Sequence, residues 1–322
     1  MITKELISPK SIVIVGGSED SHKPGGNVLK NLLETKYSGK LYVVNPKSEY
    51  VQGIKSYSSV EELPQVDLAI LAIPASMCPG VADILCSKKS CKAIIVFSAG
   101  FHEDGPEGAI LEEELVRVVN SAGASLIGPN CIGVLTPSYS GVFTKPIPKL
   151  HSRGVDVISG SGATAVFIIE ASIQLGLTFS SVYSVGNSAQ LGVEDILEHL
   201  DETYVHGKSS PVKLLYIESV TKPEKLLKHS RSLIKKGAAI AAIKSGYSEA
   251  GSRAASSHTG AMASPDVAIT ALFRKAGIIR CYSRMELATV ASVLMYPKPK
   301  GDKVAIITHA GGPAVMLTDI LS

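Results

Sequence analysis

The stretch KSGYSEAGSRAASSHTGAMASPD, residues 244–266, sets His258 among serines, glycines and alanines directly after an apolar strand pattern. A long irregular loop inside a compact unit is usually functional or disordered, and small neighbours leave an imidazole approachable. Imidazole attacks phosphorus and forms a covalent intermediate, dividing one hard step into two. A solvent-exposed loop histidine with no special role fits the same pattern. Glu218 closes the run VKLLYIE, at the carboxyl edge where ligands gather in open α/β sheets. A lone glutamate there serves equally as a helix cap or an ion-pair partner. SGSGA, Ser159–Ala163, is a turn of small residues before a helix, and the free N–H groups of a helix start favour an anion. Any tight βα turn shares that look. The loop Gly16–Gly26 likewise follows a strand and opens a helix, a phosphate-binding position, though its glycines at 16, 17, 25 and 26 do not make GxGxxG. A purely structural glycine turn is the alternative. The next strand ends VVNPK, without the acidic residue an NAD ribose needs. Lys47 suits a phosphorylated ribose or a pyrophosphate, so a nucleotide-like ligand other than NAD is expected.

These groups must be held by strands and helices, and the chain repeats short apolar strand, glycine turn and amphipathic helix, the pattern of parallel βαβ units. Strands are expected over Ile12–Val15, Leu41–Val44, Asp67–Ile73, Ala93–Phe97 and Ser125–Gly128, with helices over Asn27–Leu33, Val60–Leu63 and Glu107–Ala122. Continuous runs such as LAILAI and AIIVF are what a sheet covered on both faces requires. Thr136–Ser152 has no periodicity and reads as a linker. A second series follows, with strands over Val155–Ser159, Ser181–Val185, Lys213–Glu218 and Ala238–Lys244. Its helices are expected over Gly162–Leu175, Val193–Leu200, Pro223–Lys236, Pro265–Ala276 and Arg284–Leu294. After PKPKGD, VAIITHAGGPAVMLTDIL begins one more strand-turn-helix unit. That unit implies either that the polypeptide continues or that it is a truncated product; a C-terminal unit packed on the preceding domain is the alternative. The fold class is therefore α/β, with units at 1–135 and 150–296 and the start of a third at 302–322.

Composition narrows the function classes. Of 322 residues, 45% are hydrophobic and 19% charged, and there are 29 glycines and no tryptophan, which suits a well-packed α/β protein. A net charge of +3 without a basic run gives no nucleic-acid or membrane partner. Five cysteines without a CxxC pair suit free thiols in a reducing cytoplasm and give no metal site. No apolar stretch approaches the ~20 residues of a membrane span, and no signal peptide precedes the first strand.

Taken in order, IVIVGGSEDSHKPGGNVLKNL, VVNPK, LAIP, FSAGF, IGPNCIGV, SGSGA, SVGN, YIES, SHTGA and THAGGPAV run through the whole chain. That set resembles the nucleoside-diphosphate-forming acyl-CoA synthetases, the superfamily of the succinyl-CoA synthetase α subunit, and most of all the α part of ADP-forming acetate–CoA ligases. Each piece is weak alone; the ordered set is specific. The resemblance implies a Rossmann-like CoA-binding domain, then a flavodoxin-like domain carrying phosphohistidine, then a further α/β domain. It implies an acid–thiol ligase that interconverts acyl-CoA, ADP and phosphate with carboxylic acid, CoA and ATP through an acyl phosphate.

Carried onto this sequence, the resemblance makes His258 the phosphorylated residue and Glu218 the acceptor that orients its ring. Ser159, Ser161 and Gly162 would hold the phosphoryl group. Gly17, Ser18, Lys23 and Lys47 would contact CoA phosphates or ribose, and Pro74, Ser98, Ala99 and Gly100 would line the pantetheine and adenine path. Asn130 and Cys131 would stand at the thiol end. The nucleotide, ATP or ADP with Mg, would sit on an ATP-grasp β subunit or further C-terminal domains in an oligomer, with a small carboxylic acid, CoA and phosphate as the other ligands. Two departures stand out: the glycine spacing of the first loop, and Gln190 where many members have an acid. A catalytically silent CoA-binding regulatory module is the alternative, disfavoured because a sensor needs neither His258 nor Glu218. A nicotinamide dehydrogenase is disfavoured by Asn45-Pro46-Lys47.

Overall fold

The computed structural model describes residues 2–248, 250, 251, 253, 266–297 and 300–322. Among these residues the strands form two seven-stranded sheets. The first contains β1 (Ser11–Val15), β2 (Lys40–Val44), β3 (Tyr50–Val51), β4 (Ile54–Tyr57), β5 (Leu68–Leu71), β6 (Ala93–Val96) and β7 (Ser125–Ile127). Their order is β3-β4-β2-β1-β5-β6-β7, parallel except for β3 against β4. β1, β5 and β6 are buried at every position, so their Val/Ile/Leu runs need no alternation. Helices α1 (Lys4–Ile7), α2 (Pro24–Glu34), α3 (Cys78–Lys88) and α4 (Pro106–Ser121) belong to this half.

The second sheet follows the order β14-β13-β12-β10-β11-β8-β9. It comprises β8 (Gly133–Thr136), β9 (Tyr139–Val142), β10 (Leu150–Ser159), β11 (Phe179–Ser184), β12 (Val212–Ile217), β13 (Ala239–Lys244) and β14 (Ile279–Cys281). α5 (Gly162–Gln174), α6 (Val193–Glu202), α7 (Pro223–Lys235), α8 (Asp266–Ala276) and α9 (Arg284–Leu294) cover it. Each sheet has one topological switch, between β1 and β5 in the first and between β10 and β12 in the second, and such switches open the crevice where open α/β sheets bind ligands.

The segment expected as a linker, Thr136–Ser152, is in large part strand. β8 and β9 form an antiparallel hairpin, and β8 pairs antiparallel with β11 through Val182↔Leu135 and Tyr183↔Val134. The same hairpin is tied to the first half: Tyr139 donates to Leu6 O at 2.8 Å, Thr136 to Ile7 O at 3.1 Å, and Asn31 Nδ2 to Val142 O at 2.8 Å. One apolar cluster runs from Ile14, Leu29 and Leu32 through Val134 and Tyr139 to Tyr183 and Ile196, so the sheets share a core. Of the strand-turn-helix unit expected at VAIITHAGGPAVMLTDIL, the strand does not form, since among the described residues no strand pairs with it; α10 (Gly311–Leu321) follows with no buried residue. No helix among the described residues is long and apolar enough to cross a membrane.

Two contiguous helices of the second half are laced by charge. Asp195, Glu198 and Asp201 recur along one side of α6, as a helical period of 3.6 requires, and meet cations of α7 and its ends. Lys225 Nζ lies 2.8 Å from Asp195 and 2.6 Å from Glu198, while Lys236 Nζ and His229 Nδ1 each lie 2.8 Å from Asp201. Burial would raise the pKa of Asp195 and of Asp201, but hydrogen bonds from Lys222 and Lys225, and from Lys236 and His229, outweigh it and hold both below the usual range. The hydrogen bond from Lys225 lowers Glu198 in the same sense. Carboxylates depressed in the folded state add stability above their unfolded pKa of about 4 and lose it as pH falls through the folded values. Lys225→Met is therefore expected to lower the unfolding temperature near pH 7 but to flatten its fall below about pH 4.5. Thermal scans across that range check this, and parallel curves for both proteins would place the acid sensitivity elsewhere.

Candidate active site

The carboxyl ends of both sheets face one cavity of about 450 Å³. Its walls include Phe97, His102, Asn130 and Cys131 from the first half, and Gly160–Ala163, Gly186–Ser188, Glu194, Glu218, Ser219 and Thr221 from the second. The turn after β10 and the residues after β12 are neighbours because these strands flank the switch point, with Ser159 paired to Tyr216 and Gly160 N donating to Tyr216 O at 3.0 Å. That pairing brings Glu218 beside the SGSGA turn.

Ser161 caps α5, accepting from Thr164 N at 3.4 Å and from Thr164 Oγ1 at 3.1 Å. Ser159 departs from its expected place. It is fully buried, donates to Ser161 O at 2.6 Å and accepts from Ser161 N at 3.2 Å. Its hydroxyl thus shapes the turn from behind and leaves the cavity to Gly160, Ser161, Gly162 and Ala163. Gly162 is fixed by close approach, since a Cβ there would stand 2.6 Å from Ile132 Cγ2.

Asn130 lines the cavity with φ of +56°, a left-handed conformation that asparagine tolerates better than most residues. Cys131 also lines it but is 3% exposed. Burial pushes its thiol up to about 12, so it remains a neutral thiol, donating to Val96 O at 3.3 Å. Lys244 is buried at the carboxyl end of β13, one strand from Glu218; burial draws its pKa down against the pull of nearby acids.

The remaining sequence-expected residues lie on the carboxyl-end loops of the first sheet and do not line this cavity. Gly17 and Ser18 follow β1, Lys23 is the residue before α2, Lys47 follows β2, Pro74 follows β5, and Ser98, Ala99 and Gly100 follow β6. Lys23, Lys47, Pro74 and Ala99 are exposed. The unusual glycine spacing of the first loop has a steric reason. A Cβ at Gly16, where φ is +88°, would meet Ala72 O at 2.3 Å, and one at Gly25 would meet Gly16 O at 2.1 Å. These glycines let α2 close onto the switch point of the first sheet. His258 lies outside the described residues.

Glu194 and Glu103 carried no signal in the sequence, and Gln190 stood out without a reason. Glu194 is 3% exposed and its Oε1 accepts from Thr221 N at 3.0 Å and Lys222 N at 3.1 Å, which anchors the segment bearing Glu218. Gln190 explains its own departure from the acidic pattern: Oε1 accepts from Leu126 N at 2.6 Å while Nε2 donates to Asn120 Oδ1 at 2.7 Å and Ala124 O at 3.0 Å. A carboxylate could accept there but could not donate. His102, Glu103 and Glu112 bring ligand-type atoms within 4.8 Å of one another. The carboxylates already accept from His102, Asn187 and backbone N–H groups, so hydrogen bonds close the cluster. SVGN flagged the neighbourhood of Asn187, but nothing in the spacing linked it to Glu103.

The cavity joins the glycine-rich switch point of the second sheet to the loops after β6 and β7 of the first, and the comparisons specify the family. Residues 10–137 match the family described as CoA binding domain, and residues 152–294 match the succinyl-CoA ligase like flavodoxin domain. The chain is 37% identical over 315 residues to the α subunit of ADP-forming acetate–CoA ligase II from Pyrococcus furiosus, covering 98% of this chain and 67% of that one. It is 37% identical over 319 residues to ADP-forming acetate–CoA ligase I from Archaeoglobus fulgidus, with 98% and 45% covered. Among solved structures, the dinucleotide-forming acetyl-coenzyme A synthetase 1 of Ca. Korarchaeum cryptofilum, in complex with phosphate and ADP, superposes with a TM-score of 0.87 at 32% identity, covering 98% of this chain and 67% of that chain. The chain belongs to the NDP-forming acyl-CoA synthetases, as their α-type part. It spans two thirds of the α-subunit relative and under half of the single-chain one.

Proposed function

We propose that this chain is the CoA-binding and phosphohistidine part of an ADP-forming acyl-CoA synthetase. The observation that carries the reading is the cavity itself, where the α5 turn and Glu218 of one sheet meet Asn130 and Cys131 of the other. CoA lies along the first-sheet loops, its phosphates near Gly17, Ser18, Lys23 and Lys47 and its pantetheine near Pro74 and Ser98–Gly100, with the thiol end reaching Asn130. Phosphate attacks the thioester carbonyl, the C–S bond breaks, and CoA leaves as acyl phosphate forms. Ser161 and Gly162 hold the transferring phosphoryl group with the N–H groups and positive end of α5. His258 takes it from the acyl phosphate, releasing the carboxylate, and passes it to ADP. Glu218 orients the imidazole and stabilises its positive charge. The nucleotide and Mg belong to an ATP-grasp partner, with which this chain assembles.

The experiment is transfer of labelled phosphate from ATP in the presence of that partner, comparing this chain with His258→Ala. Acid-labile, base-stable label on the wild type alone is the expected result. No label on either chain, with the partner shown to be competent, would hand the reading to a silent CoA-sensing module.

A further inference from the structure

The turn after β6 and the loop after β11 come from different sheets, yet one amide joins them. Asn187 Nδ2 donates to Glu103 Oε2 and, at 2.9 Å, to Glu112 Oε2. Carboxylates only accept, so both N–H bonds of the amide are committed and its oxygen must face the other way. That oxygen accepts from Asn130 Nδ2 at 3.4 Å. The backbone of the same loop grips the same segment: Asn187 N donates to Pro129 O at 3.0 Å and Ala189 N to Gly128 O at 3.2 Å. Glu112 is held in turn by His102 Nδ1, at 2.7 and 2.9 Å from its two oxygens.

Glu103 has a second task. Its Oε1 accepts from Gly100 N at 2.8 Å and Phe101 N at 3.3 Å, fixing the turn that contains Ser98, Ala99 and Gly100. Burial works to raise the Glu103 pKa, but the hydrogen bonds from Asn187, Gly100 and Phe101 prevail and keep the carboxylate ionised. Neither Glu103 nor Glu112 lines the cavity, whereas Asn187 and Asn130 do. Glu103 therefore acts through others: one oxygen sets the first-sheet turn, and the other aims Asn187 and, through it, Asn130.

We infer that Glu103 and Asn187 are positioning residues for the CoA-dependent half of the reaction, an inference that rests on the function proposed above. Charging of His258 from ATP needs the α5 turn and Glu218, whereas the hydrogen bonds described above run to the turn after β6, to α4 and to Asn130. Discharge needs CoA and acid in register with the phosphoryl group, and that register runs through Asn130. A displacement on the order of 1 Å in such a group costs about a hundredfold in rate.

The two oxygens of Glu103 make separable predictions. In the full chain with its ATP-grasp partner, Glu103→Ala is expected to leave labelling of His258 from ATP at wild-type rate. It should slow CoA- and acid-dependent loss of that label by roughly 10- to 100-fold and raise the KM for CoA. Glu103→Gln keeps an oxygen for Gly100 N and Phe101 N but turns an amide towards Asn187. It should restore the KM for CoA while leaving discharge slow. Charging that falls in step with discharge would make Glu103 a general structural residue and overturn the inference. So would unchanged discharge in both variants, or a glutamine variant in which KM stays raised. A wild-type chain that takes no label would sink the proposed function and this inference together, which separates that failure from the others.

Discussion

Glu218→Gln is expected to lower acyl-CoA-dependent ATP formation by roughly 10²- to 10⁴-fold, the range of a positioned acid–base group. The glutamine keeps the size of the side chain and an acceptor oxygen, but removes the negative charge that, in the proposed mechanism, would stabilise an imidazole acquiring positive charge. The loss should therefore fall on kcat, with the KM for CoA nearly unchanged, because the CoA contacts proposed above lie on loops of the other sheet. Glu194 strengthens the expectation: by binding Thr221 N and Lys222 N it holds the backbone after Glu218 in place, so the variant does not relax into a new geometry. Steady-state kinetics of the reconstituted ligase give the answer. A variant with wild-type kcat would remove Glu218 from the mechanism.

The largest expected effect on stability lies deeper in the second sheet. Lys213 is 1% exposed, with Nζ 2.6 Å from Asp156 Oδ2 and donating to Ser210 O at 2.8 Å; the other oxygen of Asp156 accepts from Ser181 Oγ at 2.6 Å. β10 and β12 are adjacent, with Asp156 opposite Lys213 in register. Lys213→Ala leaves the Asp156 charge buried without its ammonium partner. Breaking a buried pair in this way costs about 3–5 kcal/mol, and for a unit of this size that lowers the unfolding temperature by roughly 6–20 °C. Asp156→Asn combined with Lys213→Met should recover much of the loss, because the uncompensated charge is gone. Thermal unfolding followed by circular dichroism checks both. A Lys213→Ala protein as stable as wild type would mean that water reaches Asp156.

Those buried charges were invisible in VDVIS and VKLL, which read simply as strands. The parallel strands were legible because burial on both faces forces unbroken apolar runs, as in LAIL and AIIV. The site was legible to the extent that it sits at strand ends: SGSGA and Glu218 followed from position after β10 and β12. The hairpin β8–β9 was not legible. Its strands GVLT and YSGV are short and rich in small residues, and GVLT pairs with a strand more than 40 residues later in the chain. α3 was missed because CPGVADILCSK carries Pro and Gly in its first turn and lacks a clear polar face, and β14 because a three-residue edge strand leaves no periodicity. Glu103 and Asn187 are 84 residues apart; only the docking of one sheet's loops on the other brings them together.

The placement of that hairpin bears on how such chains can be recombined. It pairs within the second sheet while its Tyr139 and Thr136 side chains bond α1, and its Val142 carbonyl accepts from Asn31 of α2, in the first half. A graft that swaps the first half between relatives by cutting just before residue 133 would leave Leu6, Ile7 and Asn31 facing a foreign ribbon. Cutting just after residue 142 would instead hand β11 a foreign edge partner. Neither junction is neutral, so domain shuffling in this lineage has to carry compatible residues on both sides of the ribbon, and chimeras are best built by transplanting the hairpin contacts along with whichever half is exchanged.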